Sequence, residues 1–133
     1  MTTKPKRLLL IEDNEADLTL VRLHLEKSAT FDLSRADRLS TGLMALHKET
    51  PDVVLLDLYL PDSRGAETFR AVLDLATGVP VVIYTGCEDE KLALEAAQQG
   101  IEDYLVKHSF DGPRLAHVLS CAIERKGDDR TRG

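Results

Sequence analysis

Five times along the 133 residues a short apolar run gives way to a longer stretch with helical spacing, and this alternation restricts the fold more than any other feature. The runs are Leu8–Ile11, a weaker Phe31–Ser34, Val53–Leu56, Val79–Tyr84 and Tyr104–Val106. Three are almost continuously apolar, as parallel strands are when helices cover both faces of their sheet. Phe31–Ser34 alternates instead and belongs nearer an edge. Between the runs, Leu18, Val21 and Leu25 mark one amphipathic helix, Leu39, Leu43 and Leu46 a second, and Phe69, Val72 and Leu73 a third. Leu92, Leu94, Ala96 and Ala97 mark a fourth, and Leu115, Val118, Leu119 and Ile123 a fifth. Gly100 follows the fourth helix, and Asp111-Gly112-Pro113 opens the fifth with N-cap and first-turn chemistry.

The expected architecture is therefore (βα)5, a doubly wound five-stranded parallel sheet with right-handed crossovers, sandwiched between two helical layers (α/β/α). Residues 7–126 form the expected domain, with 1–6 as a flexible N-terminus and 127–133 as a flexible tail or the start of a linker. A hydrophobic fraction of 43% is enough for one buried core.

Charge narrows the function. A net charge of −6 argues against direct nucleic-acid binding, which calls for a basic face. No apolar run approaches the roughly 18 to 20 residues of a membrane helix. The basic start runs through a short apolar stretch into Glu12-Asp13, unlike a secretory signal, so cytoplasm is the expected location. Cys87 and Cys121 lack metal-ligand spacing and read as reduced thiols. His24, His47, His108 and His117 read as surface residues.

In open parallel sheets, ligands sit beyond the carboxyl ends of the strands, at the topological switch point. The polar residues that directly follow the apolar runs are Glu12 and Asp13, then Asp57, then Thr85, then Lys107. Three carboxylates gathered in one pocket repel one another. A divalent cation with hard oxygen ligands, Mg2+ or Mn2+, would offset that repulsion. Lys107 suits a phosphoryl oxygen, or Asp57 when that residue is unmodified, and Thr85 offers a hydroxyl. Together they describe a carboxylate that attacks phosphorus while metal, amine and hydroxyl share the charge. Asp17, Asp62 and Asp89 read as surface or helix-start acids.

This set of residues resembles the receiver domain of response regulators, the CheY-like family of two-component signalling systems with a flavodoxin-like sheet. The likeness runs from about Arg7 to Lys126. It rests on Glu12-Asp13, on Asp57-Leu58-Tyr59-Leu60-Pro61-Asp62-Ser63-Arg64-Gly65, on Thr85-Gly86, and on Asp103-Tyr104-Leu105-Val106-Lys107. The resemblance implies that Asp57 accepts a phosphoryl group from a sensor histidine kinase or a histidine phosphotransfer protein. It implies Mg2+ held by Glu12, Asp13, Asp57 and the backbone carbonyl of Tyr59. Thr85 and Lys107 would contact the phosphoryl group, and Thr85 and Tyr104 would act as the switch. The signal would leave through the face built from the fourth helix, the fifth sheet strand and the fifth helix, which is also the face for a homodimer. The domain is thus expected to be a signalling module acting on its own phosphorylation and dephosphorylation, not an enzyme for other substrates.

Two departures from the family pattern matter. A proline in a cis peptide bond usually follows the lysine, whereas here it is His108. Cis before a non-proline residue costs roughly 3 to 4 kcal/mol, so a trans bond with a different loop and a cis bond are both open. Tyr59 and Cys87 occupy positions that tune the lifetime of the acyl phosphate, and a bulky Tyr59 is expected to lengthen it. Other functions fail at single positions. A phosphatase of the haloacid-dehalogenase type needs a second aspartate where Tyr59 stands, and a flavodoxin needs a phosphate loop where Glu12-Asp13-Asn14-Glu15 would repel phosphate. A receiver-like binding module that is never phosphorylated would have no use for the intact pocket.

Overall fold

The computed structural model describes residues 4–27, 30–86 and 88–132, with side chains as far as residue 127. Five strands, β1 (Lys6–Ile11), β2 (Phe31–Ala36), β3 (Val53–Leu56), β6 (Val81–Thr85) and β7 (Asp103–Val106), form one parallel sheet in the order β2-β1-β3-β6-β7. The strand order reverses between β1 and β3, and β2 lies at an edge as its alternating pattern implies. Val79 and Pro80 precede β6 instead of opening it, since proline has no N–H for a ladder; its carbonyl still accepts from Val54 N at 3.0 Å.

Helices α1 (Glu15–Glu26), α2 (Leu39–Lys48), α3 (Ala66–Leu75), α4 (Glu90–Gln98) and α5 (Gly112–Arg132) cover both faces. Side chains alternate across each strand, so successive residues enter opposite cores. Leu8, Leu10, Val53, Leu55, Val82 and Tyr84 meet α1 and α5 through Leu18, Val21, Leu115 and Leu119. Leu9, Ile11, Val54, Leu56, Val81 and Ile83 meet α2, α3 and α4 through Leu46, Phe69, Val72 and Ala96. Each such side chain contributes about 1.5 to 3 kcal/mol through burial, which is what holds a charged sheet edge in place. Among the described residues no helix is long and apolar enough to cross a membrane.

Asn14 and Asp111 cap α1 and α5 through Asp17 N and Arg114 N, at 2.9 Å each, and Asp89 caps α4 through Leu92 N at 3.0 Å. Gly112 is required where α5 starts, because a Cβ there would lie 2.8 Å from the His24 carbonyl oxygen. His24 is correspondingly half-buried against Phe110 (ring centroids 6.2 Å apart), not a surface residue. Helix α5 continues to Arg132, so residues 127 to 132, read from sequence as a tail or the start of a linker, prolong the last helix. Residues 1–3 of the expected N-terminal segment, Gly133 and Cys87 lie outside the described residues.

Two features of the loops were not anticipated. After β3 the chain makes a small hairpin from β4 (Tyr59–Leu60) and β5 (Ser63–Arg64). Gly65 ends it at φ 63 and ψ −135, a backbone region open to glycine, and donates its N–H to Leu58 O at 2.8 Å. Asp62 reaches across to the backbone N–H groups of Leu39 and Ser40 at 2.8 and 3.0 Å, so it caps α2 and not its own helix. Burial works against that carboxylate, but the two N–H groups prevail and lower its pKa.

After β7, none of the described peptide bonds is cis, so Lys107–His108 is trans; His108 instead turns the chain in the left-handed region at φ 66. That conformation costs a residue with a Cβ about 1 to 2 kcal/mol, and more for a β-branched one. We expect His108→Gly to match or exceed the wild type in unfolding free energy by up to about 1 kcal/mol, and His108→Val to lose on the order of 1 to 2 kcal/mol. Urea denaturation of the three proteins checks this.

Candidate functional site

The strands carry their ladders one residue past their ends, and this places the polar groups. Glu12 N donates to Ala36 O at 2.9 Å, Asp57 N to Ile11 O at 3.0 Å, and Lys107 N to Thr85 O at 2.8 Å. Glu12, Asp13 and Asp57 thereby converge, each offering one carboxylate oxygen within 4.8 Å of the other two. Glu12 is 1% exposed, Asp57 4%, and Asp13 faces solvent. Lys107 spans the set: its Nζ lies 2.7 Å from Asp17 Oδ2, 2.9 Å from Glu12 Oε2 and 3.2 Å from Asp57 Oδ2. The Tyr84 ring backs this ammonium, its centroid 5.1 Å away. Burial pushes the Tyr84 hydroxyl up to about 12, with the Asp17 charge adding to it.

The electrostatics are lopsided. Burial, followed by the charge of Asp57, drives the Glu12 carboxyl up to about 7, although the adjacent Lys107 ammonium opposes the shift. Burial also works against the Lys107 ammonium, but Asp17, Glu12 and Asp57 outweigh it and raise its pKa above the ordinary lysine value. Glu12 Oε1 accepts from Asn14 N at 3.0 Å, whereas no donor is aligned on the buried Oε2; Lys107 touches it only as an ion-pair contact. A buried carboxylate oxygen with no aligned donor, beside two further carboxylates, fits a hard divalent cation. Glu12, Asp13 and Asp57 could supply its protein ligands.

The remaining expected residues are near at hand. Thr85 is fully buried at the end of β6, paired in register with Val106. Tyr104 is half-buried against the core on the α2–α4 side. The N–H of Tyr59 donates to Asp57 Oδ1 at 3.2 Å, and its side chain stands 41% exposed beside an open depression lined by Asp57, Tyr59, Gly86 and Lys107.

Sequence reasoning missed two participants. Asp17, read as a surface or helix-start acid, turns inward and makes the shortest contact to Lys107. The available signal was its place one helical turn after Asp13. Arg35 ends the inward-facing series Phe31-Leu33-Arg35 of β2. Its guanidinium bonds the Glu12 carbonyl at 2.8 Å, the Asp13 carbonyl at 3.1 Å and the Glu15 carboxylate at 3.0 Å, fixing the loop that carries the acidic pair.

Comparison with known proteins places the fold and the family. Residues 8–120 match the response regulator receiver domain family. The transcriptional regulatory protein GlrR of Escherichia coli is 31% identical over 135 residues, which cover 99% of this chain but only 30% of that protein. The signal receiver domain of an HD domain-containing protein from Pseudomonas fluorescens superposes with a TM-score of 0.85 at 25% identity, covering 100% of this chain and 97% of the other. The receiver domain of a sensor histidine kinase from Pseudomonas aeruginosa, which holds a magnesium ion in its active-site cleft, gives 0.78 at 22% identity, covering 91% and 99%.

The raised Glu12 pKa has a measurable consequence. An unfolded glutamate titrates near 4.5 and the folded Glu12 near 7, so between these values the folded chain keeps a proton that the unfolded chain has lost. Stability therefore falls as pH rises through that window and levels off above it. With a chelator present, we expect the unfolding free energy to drop by on the order of 1 to 3 kcal/mol between pH about 5 and about 8, and Glu12→Gln to flatten the drop. Urea midpoints across the range measure both.

Proposed function

Because the chain belongs to the response regulator receiver domain family, we propose that it accepts a phosphoryl group on Asp57 from a histidine kinase or a histidine phosphotransfer protein in the cytoplasm, and relays the signal through a change of conformation. The observation that carries this reading is the buried Asp57 carboxylate at the β3 end, with Lys107 at 3.2 Å and the Glu12 and Asp13 carboxylates beside it.

In this reading an Asp57 carboxylate oxygen attacks phosphorus in line with the bond to the donor imidazole, which leaves as that bond breaks. Glu12, Asp13, Asp57 and the Tyr59 carbonyl hold Mg2+, or Mn2+ in its place, which supplies positive charge to the phosphoryl oxygens. Lys107 moves its ammonium to a phosphoryl oxygen, and the Thr85 hydroxyl donates to another. Backbone bonding keeps these groups in place before the donor arrives, which removes much of the orientational cost of the transfer.

Thr85 and Tyr104 then shift together, biasing an inactive–active equilibrium on the face of α4, β7 and α5, which also serves a homodimer. The regulated output is a fused domain or a separate partner, and the acidic surface of this chain leaves nucleic-acid contact to that output.

Incubation with Mg2+ and acetyl phosphate should add the mass of one phosphoryl group to the protein, and Asp57→Asn should abolish the gain. An unmodified wild type, or an equally modified variant, would refute the assignment. Tyr59 stands beside the acceptor and obstructs the water that hydrolyses the acyl phosphate. Tyr59→Asn is therefore expected to shorten the phosphoryl half-life several-fold in a phosphate-release time course, and equal half-lives would remove Tyr59 from the account.

A further inference from the structure

Lys107 has one positive charge and three carboxylate neighbours, and the nearest of them comes from outside the strand-end set. Asp17 Oδ2 lies 2.7 Å from Nζ, against 3.2 Å for Asp57 Oδ2. Its carboxylate is only 13% exposed, and its own N–H is held by Asn14 Oδ1 at 2.9 Å, so both ends of the residue are fixed. The trans turn at His108 brings that imidazole Nε2 to 3.6 Å from the other Asp17 oxygen. Favourable placement in the first turn of α1 does not explain the inward direction. Glu15 has the same charge in the same turn, yet its side chain is 76% exposed and pairs with Arg35.

We infer that Asp17 is a positioning residue that holds the Lys107 ammonium and competes for it with a phosphoryl group on Asp57. The inference rests on the phospho-acceptor reading above. A phosphoryl group must draw Lys107 away from Asp17 and must also bear the nearby Asp17 charge. Both effects weaken occupancy of the site by an anion. Removing the charge leaves Lys107 at the site, because Glu12 and Asp57 still pair with it.

The test uses Asp17→Asn, with Glu15→Gln as the control for charge in the same helical turn. At saturating Mg2+, calorimetric titration with beryllium fluoride, a phosphoryl mimic, should show Asp17→Asn binding about five- to tenfold more tightly than wild type. Glu15→Gln should stay within about twofold of wild type. In the mimic-free protein, acetic anhydride labelling followed by peptide mass mapping should show Lys107 modified several-fold faster in Asp17→Asn, because the amine has lost the shortest of the contacts that hold it away from the reagent. A merely structural role would lower the melting temperature and leave both readouts unchanged. Unaltered or weaker mimic binding in Asp17→Asn, or unaltered Lys107 labelling, overturns the inference. If the wild type itself fails to bind the mimic, the phospho-acceptor reading falls instead, and the labelling result alone decides whether Asp17 holds Lys107.

Discussion

The ammonium of Lys107 is shared among Glu12, Asp17 and Asp57 at 2.7 to 3.2 Å, and the rest of the site is organised around that shortage of positive charge. Two carboxylates as close as Glu12 and Asp57 repel by about 3 to 4 kcal/mol at an effective dielectric constant near 20. Burial foremost, and then the Asp57 charge that one cation does not offset, make Glu12 take up protons more readily than a free glutamate. The same imbalance makes the pocket receptive to a further cation and, once that is bound, to an anionic phosphoryl group. Electrostatic cost in the ground state and chemical competence have one origin.

A cluster of like charges would spread apart if its supports were soft. Here Glu12, Asp57 and Lys107 each hang from a strand end by a backbone hydrogen bond that extends the sheet, and the sheet is locked by two apolar layers. The loops have their own restraints. Arg35 ties down the carbonyls of Glu12 and Asp13, while Asp62 pins the hairpin after Asp57 to the start of α2. Thr68, fully buried, bonds Ser63 at 2.7 Å and closes that hairpin from below. The stability of the core thus sustains the strain of the edge.

Under the proposed reading, signalling draws on this stored imbalance. A phosphoryl group on Asp57 redistributes Lys107 and attracts Thr85, whose neighbours in β6 and β7 pack directly against the helices. Helix α5 runs on to Arg132, beyond the sheet it covers, and offers a stiff path toward whatever follows or binds. Because the chain spans only 30% of the length of GlrR, the nature of that output belongs to the proposal and not to the fold.

The strand-end residues were legible in the sequence because burial periodicity is a local property. An apolar run such as Val53–Leu56 declares a buried strand, and the first polar residue after it, Asp57, must lie at the sheet edge. The same logic yielded Glu12, Asp13, Thr85 and Lys107, and the family pattern added Tyr59 and Tyr104. The partners that no periodicity reports were decided by the tertiary structure. Asp17 and Lys107 are 90 residues apart in the chain, and whether the Lys107 ammonium donates to Asp17 depends on the packing of α1 against the β7–α5 turn. Arg35, Asp62 and the trans bond before His108 are of the same kind. The sequence by itself therefore determined which residues reach the carboxyl edge of the sheet. Only the folded chain decided how one ammonium is divided among the carboxylates there, because that division is set by separations of a few tenths of an ångström between elements distant in sequence.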